Sequence, residues 1–348
     1  MNIKARQSNI ELLRIISMLM ILTVHVDGAS LGLPEPSGNW SALTASDVWK
    51  LGVESIAIIG VNCFTMISGY FGIRLSLRTI FSFLFECIFY SVGIYIVFAI
   101  IMPARYSLDD WYESWLVLSH TDLWYVPAYF GLMILSPILN AGAKCLSRST
   151  YTMMLLLFSL FTFWCGWWCS GRFNPTGYTI LQLTYIYLCA AYIRKYVGIN
   201  WLRERRMWWA IGFSSACICI FATSIYLPGN KAFAYNSPLV VLSAISFFAL
   251  ILTFEFKSAA VNYLAKSAFA VYLIHKSVPV WVNVMRPAVR HFWENHTLAT
   301  FSLATLAIIA SCYLLAVITD PVRRGLWRLI YCKLAEAKIN LIHNYEKD

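Results

Sequence analysis

The chain has 348 residues, 59% of them hydrophobic and only 13% charged, with a formal net charge of +10 and a mean hydropathy of +0.64. About a quarter of the residues of a soluble domain are charged, so this composition excludes a water-soluble globular enzyme and points to an integral membrane protein. Apolar stretches run almost from end to end, which reads as one polytopic all-α membrane domain over 1–348 with no appended soluble module.

Windows of about 20 residues, the length that crosses ~30 Å of hydrocarbon, fall at 8–27, 52–72, 78–101, 121–140, 150–169, 177–193, 207–227, 237–254, 259–283 and 298–320. They predict about ten transmembrane helices. The first window follows Lys4 and Arg6 as a signal peptide would, but it lacks a convincing cleavage site and is read as retained. Turn chemistry separates the windows, as in LGLPEPSGN, PARYSLDD, SGRFNPTG and LPGNKAFAYNSP. An even number of spans puts both termini on one side. Nineteen lysines and arginines fall on that side against seven on the other, which predicts cytoplasmic termini. The basic excess is then a topology signal, and no nucleic-acid partner is needed to explain it.

Within the first window, Arg14 and His25 stand eleven residues apart. At about 100° and ~1.5 Å per residue, that step returns to within roughly 20° of the same face and advances about 16 Å. Intramembrane polar groups are costly and mark functional sites. His25 has the chemistry of a general base for acyl transfer to a hydroxyl; a structural hydrogen bond to a neighbouring helix is the alternative, and the phase shared with Arg14 favours function. Arg14 suits a phosphate or carboxylate through its planar fork, or else snorkels to headgroups and pairs with Glu11.

Further along, Glu54 and Glu86 are carboxylates in apolar stretches, each able to orient His25 or to partner an arginine. Arg74 and Arg78, one turn apart at the entry of the third window, point the same way if both are helical, and with Arg14 would make a basic pocket for a phosphorylated cofactor; ordinary positive-inside anchoring is the competing reading. Asp122, Trp124 and Tyr125 open the fourth window, where aromatic rings either anchor at the bilayer boundary or stack on a sugar. His275 is a second histidine in a long apolar span. Eight of the ten cysteines fall inside apolar stretches without a CxxC pair, which predicts buried, reduced packing residues and no metal site. No GxSxG elbow, GxxxxGK[ST] loop, HExxH helix or GxGxxG turn occurs, so serine-triad hydrolysis, nucleotide-driven transport and zinc proteolysis lack motif support.

Five segments, taken in order, resemble the acyltransferase-3 family of membrane-bound O-acyltransferases: IELLRIISMLMILTVH with its Arg-x10-His pattern, FTMISGYF, GIRLSLRTIFSFLF, LWYVPAYFGLMILSPIL and SAFAVYLIHKS. The resemblance covers essentially the whole chain. It implies about ten helices in the bacterial cytoplasmic (inner) membrane. It also implies transfer of an acyl group, usually acetyl from acetyl-coenzyme A, to a hydroxyl of a carbohydrate or lipid-linked glycan. By position it makes His25 the catalytic histidine, Arg14 its motif partner, and Arg74 and Arg78 the donor-binding pair, although their spacing in IRLSLR is looser than the family's usual basic cluster. Two rival readings use the same polar helix face. One is a transporter or flippase, disfavoured by the absence of internal repeats; the other is a membrane sensor.

Overall fold

In the computed structural model, described over residues 7–119, 123–228 and 231–345, the chain is helical throughout, with no strand among the described residues. α1 (Ser8–Val24) continues into a wider π turn, His25–Ala29. α2 (Ala45–Ala57) and α3 (Gly60–Phe71) together form the second long apolar segment. α4 (Leu77–Ile101), the short α5 (Leu108–Trp115), α6 (Tyr125–Cys145) and α7 (Arg148–Leu160) follow, the last prolonged by a π-helical stretch to Trp168. Next come α8 (Ile180–Tyr196), the single-turn α9 (Ile199–Glu204), α10 (Arg206–Ser224) and α11 (Pro238–Leu252).

Short polar residues outside the apolar runs start several of these helices. Thr44 and Asp47 form a capping box on α2, Ser107 and Asp110 one on α5, and Ser76, Ser147 and Thr179 each accept a backbone N–H at the start of α4, α7 and α8. Each satisfies donors that the first helical turn leaves unpaired.

The expected ninth span, 259–283, is not one helix. α12 (Ala259–Leu264) and α13 (Ala268–His275) form one half; α14 (Val278–Val280), a π turn at Trp281–Met285 and α15 (Arg286–Asn295) form the other, bent 68° from the first. Pro279 has no N–H to give to the carbonyl of His275 four residues earlier, so the α-helical ladder stops there. The final helix, α16 (Leu298–Tyr345), runs well past the expected end at 320. Among the described residues, eight helical segments are long and apolar enough to cross a membrane, nine if the bent pair is one span. α8, at the sixth expected window of 177–193, has 17 residues and is not among them.

α1 lies at the centre, against α2, α3, α11 and α13. α3 is held between α1 and α8, and α8 packs in turn on α6 and α7. The contact of α3 with α8 depends on Gly69, where a Cβ would run into the backbone of Tyr187. Leu, Ile, Trp and Phe side chains on the outer helices face away from the core: Ile138 is 73% exposed and Leu306 63%. Such broad apolar surface on several helices needs a hydrocarbon solvent. Cys169 and Cys219, expected inside, are exposed, while Cys63, Cys87, Cys189 and Cys217 are buried as expected, and all ten are free thiols.

Candidate active site

The two histidines meet. His25 Nδ1 lies 2.8 Å from His275 Nε2, and His275 Nδ1 lies 2.6 Å from the Val271 carbonyl oxygen. A carbonyl only accepts, so His275 Nδ1 carries its proton; with both rings neutral, His275 Nε2 accepts, His25 Nδ1 donates, and His25 Nε2 keeps a lone pair. Both histidines sit where regular helix ends. His25 opens the π turn, a feature recurrent at functional sites, and Ser30 Oγ ties that turn by bonding the His25 carbonyl at 2.9 Å. His275 ends α13 at the bend. Trp281, just beyond it, sets its ring edge-on to His25, 6.1 Å between centroids, and carries the Lys276 ammonium at 4.5 Å from its ring centroid.

His25 lines a small cavity of about 20 Å³ with Trp124, Tyr125, Tyr235, Phe64 and Phe269. Arg14 lines a second, about 160 Å³, with Ser68, Tyr129 and again Phe64, Tyr125 and Phe269. These three shared rings form the wall between the two cavities, so Arg14 and His25 do address one side of α1. Arg14 also pairs with Glu11, 3.4 Å from Nε to carboxylate, as the sequence spacing suggested. Farther along α3, past Ser68, a recess of about 500 Å³ is lined by Gly69, Tyr70 and four cations, Arg74, Lys144, Arg194 and Lys195. Lys195 donates to the carbonyls of Ala143, Lys144 and Leu146 at the end of α6, and Arg194 to that of Tyr70, so their charges are fixed in place at the recess.

The expectation that Arg74 and Arg78 point together fails. Ser76 caps α4 after Arg74, leaving Arg74 in the preceding loop while Arg78 is helical. Arg74 faces the recess, whereas the Arg78 guanidinium lies 4.5 Å from the Tyr331 ring centroid. Glu86 is not brought to His25. It lies 3.4 Å from Arg323, which bonds Asp320 at 2.7 Å; Asp320 also takes Arg324 at 2.9 Å and the Ser267 hydroxyl at 3.2 Å. This network clamps α4 to α16.

Glu54, by contrast, is buried against the π turn: its Oε2 would lie 3.2 Å from a Cβ at Gly28. Asp27, inside the same turn, is fully buried, and neither its oxygens nor Glu54 Oε2 makes a hydrogen bond among the described residues. Sequence reasoning missed Asp27, although a carboxylate two residues after a membrane histidine was a usable signal. It also missed Lys144, Arg194 and Lys195, which look like ordinary loop charges until the fold gathers them. Trp124 is at the site, stacked on Tyr235 with centroids 5.8 Å apart; Asp122 lies outside the described residues.

The apolar helical bundle thus holds a hydrogen-bonded histidine pair inside it and cations at the far end of a shared helix face. The chain belongs to the acyltransferase-3 family: residues 7–317 match the family described as "Acyltransferase domain". It is therefore an acyltransferase, which favours the enzyme reading over transport or sensing. No curated protein and no solved structure matches it. No group of three or more metal-binding side chains occurs among the described residues.

Proposed function

We propose that this acyltransferase moves an acyl group, in the simplest case acetyl from acetyl-coenzyme A, to a hydroxyl of a cell-envelope or exported carbohydrate. Its setting is then the bacterial cytoplasmic membrane, with both termini in the cytoplasm. The observation that carries the reading is the alignment along α3: cationic recess at Gly69–Phe71, Arg14 cavity at Phe64–Ser68, His25 cavity at Val61–Phe64. Ten residues of helix cover about 15 Å, a length suited to an extended thiol arm with phosphates at one end and a thioester at the other.

The residues fit such a donor. Among the described residues, four cations and no carboxylate line the recess, which suits phosphates, and the Arg14 and His25 cavities are walled by aromatic rings. The donor supplies an electrophilic carbonyl and a thiolate leaving group. His25 Nε2 takes the proton of the acceptor hydroxyl as its oxygen attacks the carbonyl, and returns that proton to the departing sulfur, so no net proton is consumed. His275 accepts from His25 Nδ1 throughout, fixing the tautomer and ring orientation; the Val271 carbonyl in turn fixes His275. The aromatic walls exclude water and so disfavour hydrolysis.

Purified protein given labelled acetyl-coenzyme A and an envelope glycan fraction tests the proposal. Label passes to glycan with wild type and not with His25→Ala. Equal transfer by both proteins overturns the role of His25, and no transfer by either overturns the donor and acceptor classes.

A further inference from the structure

Beside the histidine pair lies a cavity that the proton transfer above does not use. It occupies about 220 Å³ between α4, α5 and the bend after α13, room for a single sugar ring. Its position is set by chain continuity with the catalytic groups. Leu273 and Ser277 in its wall flank His275, while Leu123 in its wall immediately precedes Trp124 and Tyr125 of the His25 cavity. The cavity lies along the middle and second half of α4, at Cys87, Ser91 and Tyr95, away from Arg74 and the cationic recess before α4 begins.

The lining has an uneven hydrogen-bond inventory. Tyr95 donates its hydroxyl proton to the Ser107 carbonyl at 2.7 Å, Ser114 to that of Trp111 at 2.7 Å, and Ser277 to that of Ile274 at 2.8 Å. A hydroxyl has one proton and two lone pairs, so these three face a ligand as acceptors. Asp110 and Glu113 add carboxylates, which only accept when ionised. Hydrogen bonds from the backbone and side chain of Ser107 hold the Asp110 carboxyl below its usual range, so it is charged at neutral pH. Tyr106 and Ser91 are the exceptions: the Tyr106 oxygen accepts from Asn283 at 2.8 Å, leaving its proton to give, and the Ser91 hydroxyl can donate as well as accept. No lysine or arginine lines the cavity among the described residues.

A wall made mainly of acceptors favours a ligand rich in donors, and the charged Asp110 carboxylate, with Glu113 one turn along α5, disfavours an anion. We propose that this cavity is the acceptor subsite, and that it takes a neutral or amino-bearing sugar ring while rejecting acidic sugars. The proposal rests on the acyltransfer reading above and names the substrate class of the same enzyme. Asp110 and Glu113 are the specificity-determining residues. The hydroxyl to be acylated is the one directed past Ser277 toward His275 and His25.

Saturation-transfer NMR on the full-length protein in detergent tests this without requiring turnover, with three probes: methyl β-glucoside, methyl β-glucosaminide and methyl β-glucuronide. The wild type is expected to bind the first two and to bind the glucuronide at least about tenfold more weakly, a difference of about 1.4 kcal/mol. Glu113→Gln, an isosteric change, is expected to narrow that gap severalfold, and Ser91→Phe, which fills the cavity from α4, to abolish all three signals in a protein that still elutes as wild type. Glucuronide binding equal to glucoside, no binding of any probe, or binding unaffected by Ser91→Phe overturns the subsite. Should Ser91→Phe not fold, the Glu113→Gln comparison decides alone, and an unchanged gap overturns the role of the carboxylates. Label transfer from acetyl-coenzyme A to the same glycosides is measured in parallel. Transfer that survives in Ser91→Phe sinks the subsite and leaves the acyltransfer reading standing, whereas intact sugar binding with no transfer supports the subsite and counts against that reading.

Discussion

Replacing His275 by alanine deletes the acceptor that holds His25 Nδ1 and leaves that N–H in a space from which solvent is largely excluded. The lost bond is 2.8 Å long and its acceptor ring is fully buried. Stranding a buried donor costs about 1–3 kcal/mol. If that cost falls on the transition state, where the imidazole must be oriented and accept a proton at Nε2, kcat drops about 5- to 150-fold at ~1.4 kcal/mol per decade. The donor KM should hold, because the cationic recess is built from other helices. His275→Gln restores an acceptor oxygen and should recover much of the loss, which a purely structural role for His275 would not predict. Steady-state transfer of labelled acetyl, with kcat and KM separated for both variants, is the assay. A His275→Ala enzyme whose kcat stays within about twofold of wild type would refute the tautomer argument.

Phe64 lines both the Arg14 and the His25 cavity, so Phe64→Ala should raise the butyryl-to-acetyl rate ratio and Phe64→Trp should lower turnover; competing acyl-coenzyme A donors measure both. Arg323→Ala leaves the half-buried Glu86 without its cation and the buried Asp320 with Arg324 alone, a loss of at most about 3–5 kcal/mol, the cost of breaking a fully buried pair, and should appear as a lower melting temperature in detergent. Gly69→Ala drives a methyl into the Tyr187 backbone; overpacking costs about 1–3 kcal/mol, and the same melting assay should show destabilisation, while a neutral result would mean that α3 and α8 separate freely.

The fold was largely legible because hydrophobic length is a one-dimensional signal: each expected window coincides with helix, wholly or in part. Its failures have local causes. Span 259–283 was read through Ser277 and Pro279 because its hydropathy stays high, although a proline four residues after His275 already removes the α-helical bond that the span required. A shared direction for Arg74 and Arg78 required both to be helical, and Ser76 between them, as the N-cap of α4, leaves only Arg78 in the helix. The site divides the same way. The phase of Arg14 and His25 follows from helical geometry, and the structure puts both against Phe64, Tyr125 and Phe269. That His275 meets His25 across 250 residues, that Glu54 lies against Gly28, and that Glu86 is taken by Arg323 depend on which helices touch. Periodicity along one helix carries no information about its neighbour.

The central claim is that His25 catalyses acylation of an envelope carbohydrate. Mass spectrometry of envelope glycans from cells that lack the chromosomal copy and express either wild type or His25→Ala, at matched protein levels in the membrane, tests it most directly. The account predicts an acyl-sized mass increment on the glycan with wild type and its absence with His25→Ala. The same increment in both strains would contradict it.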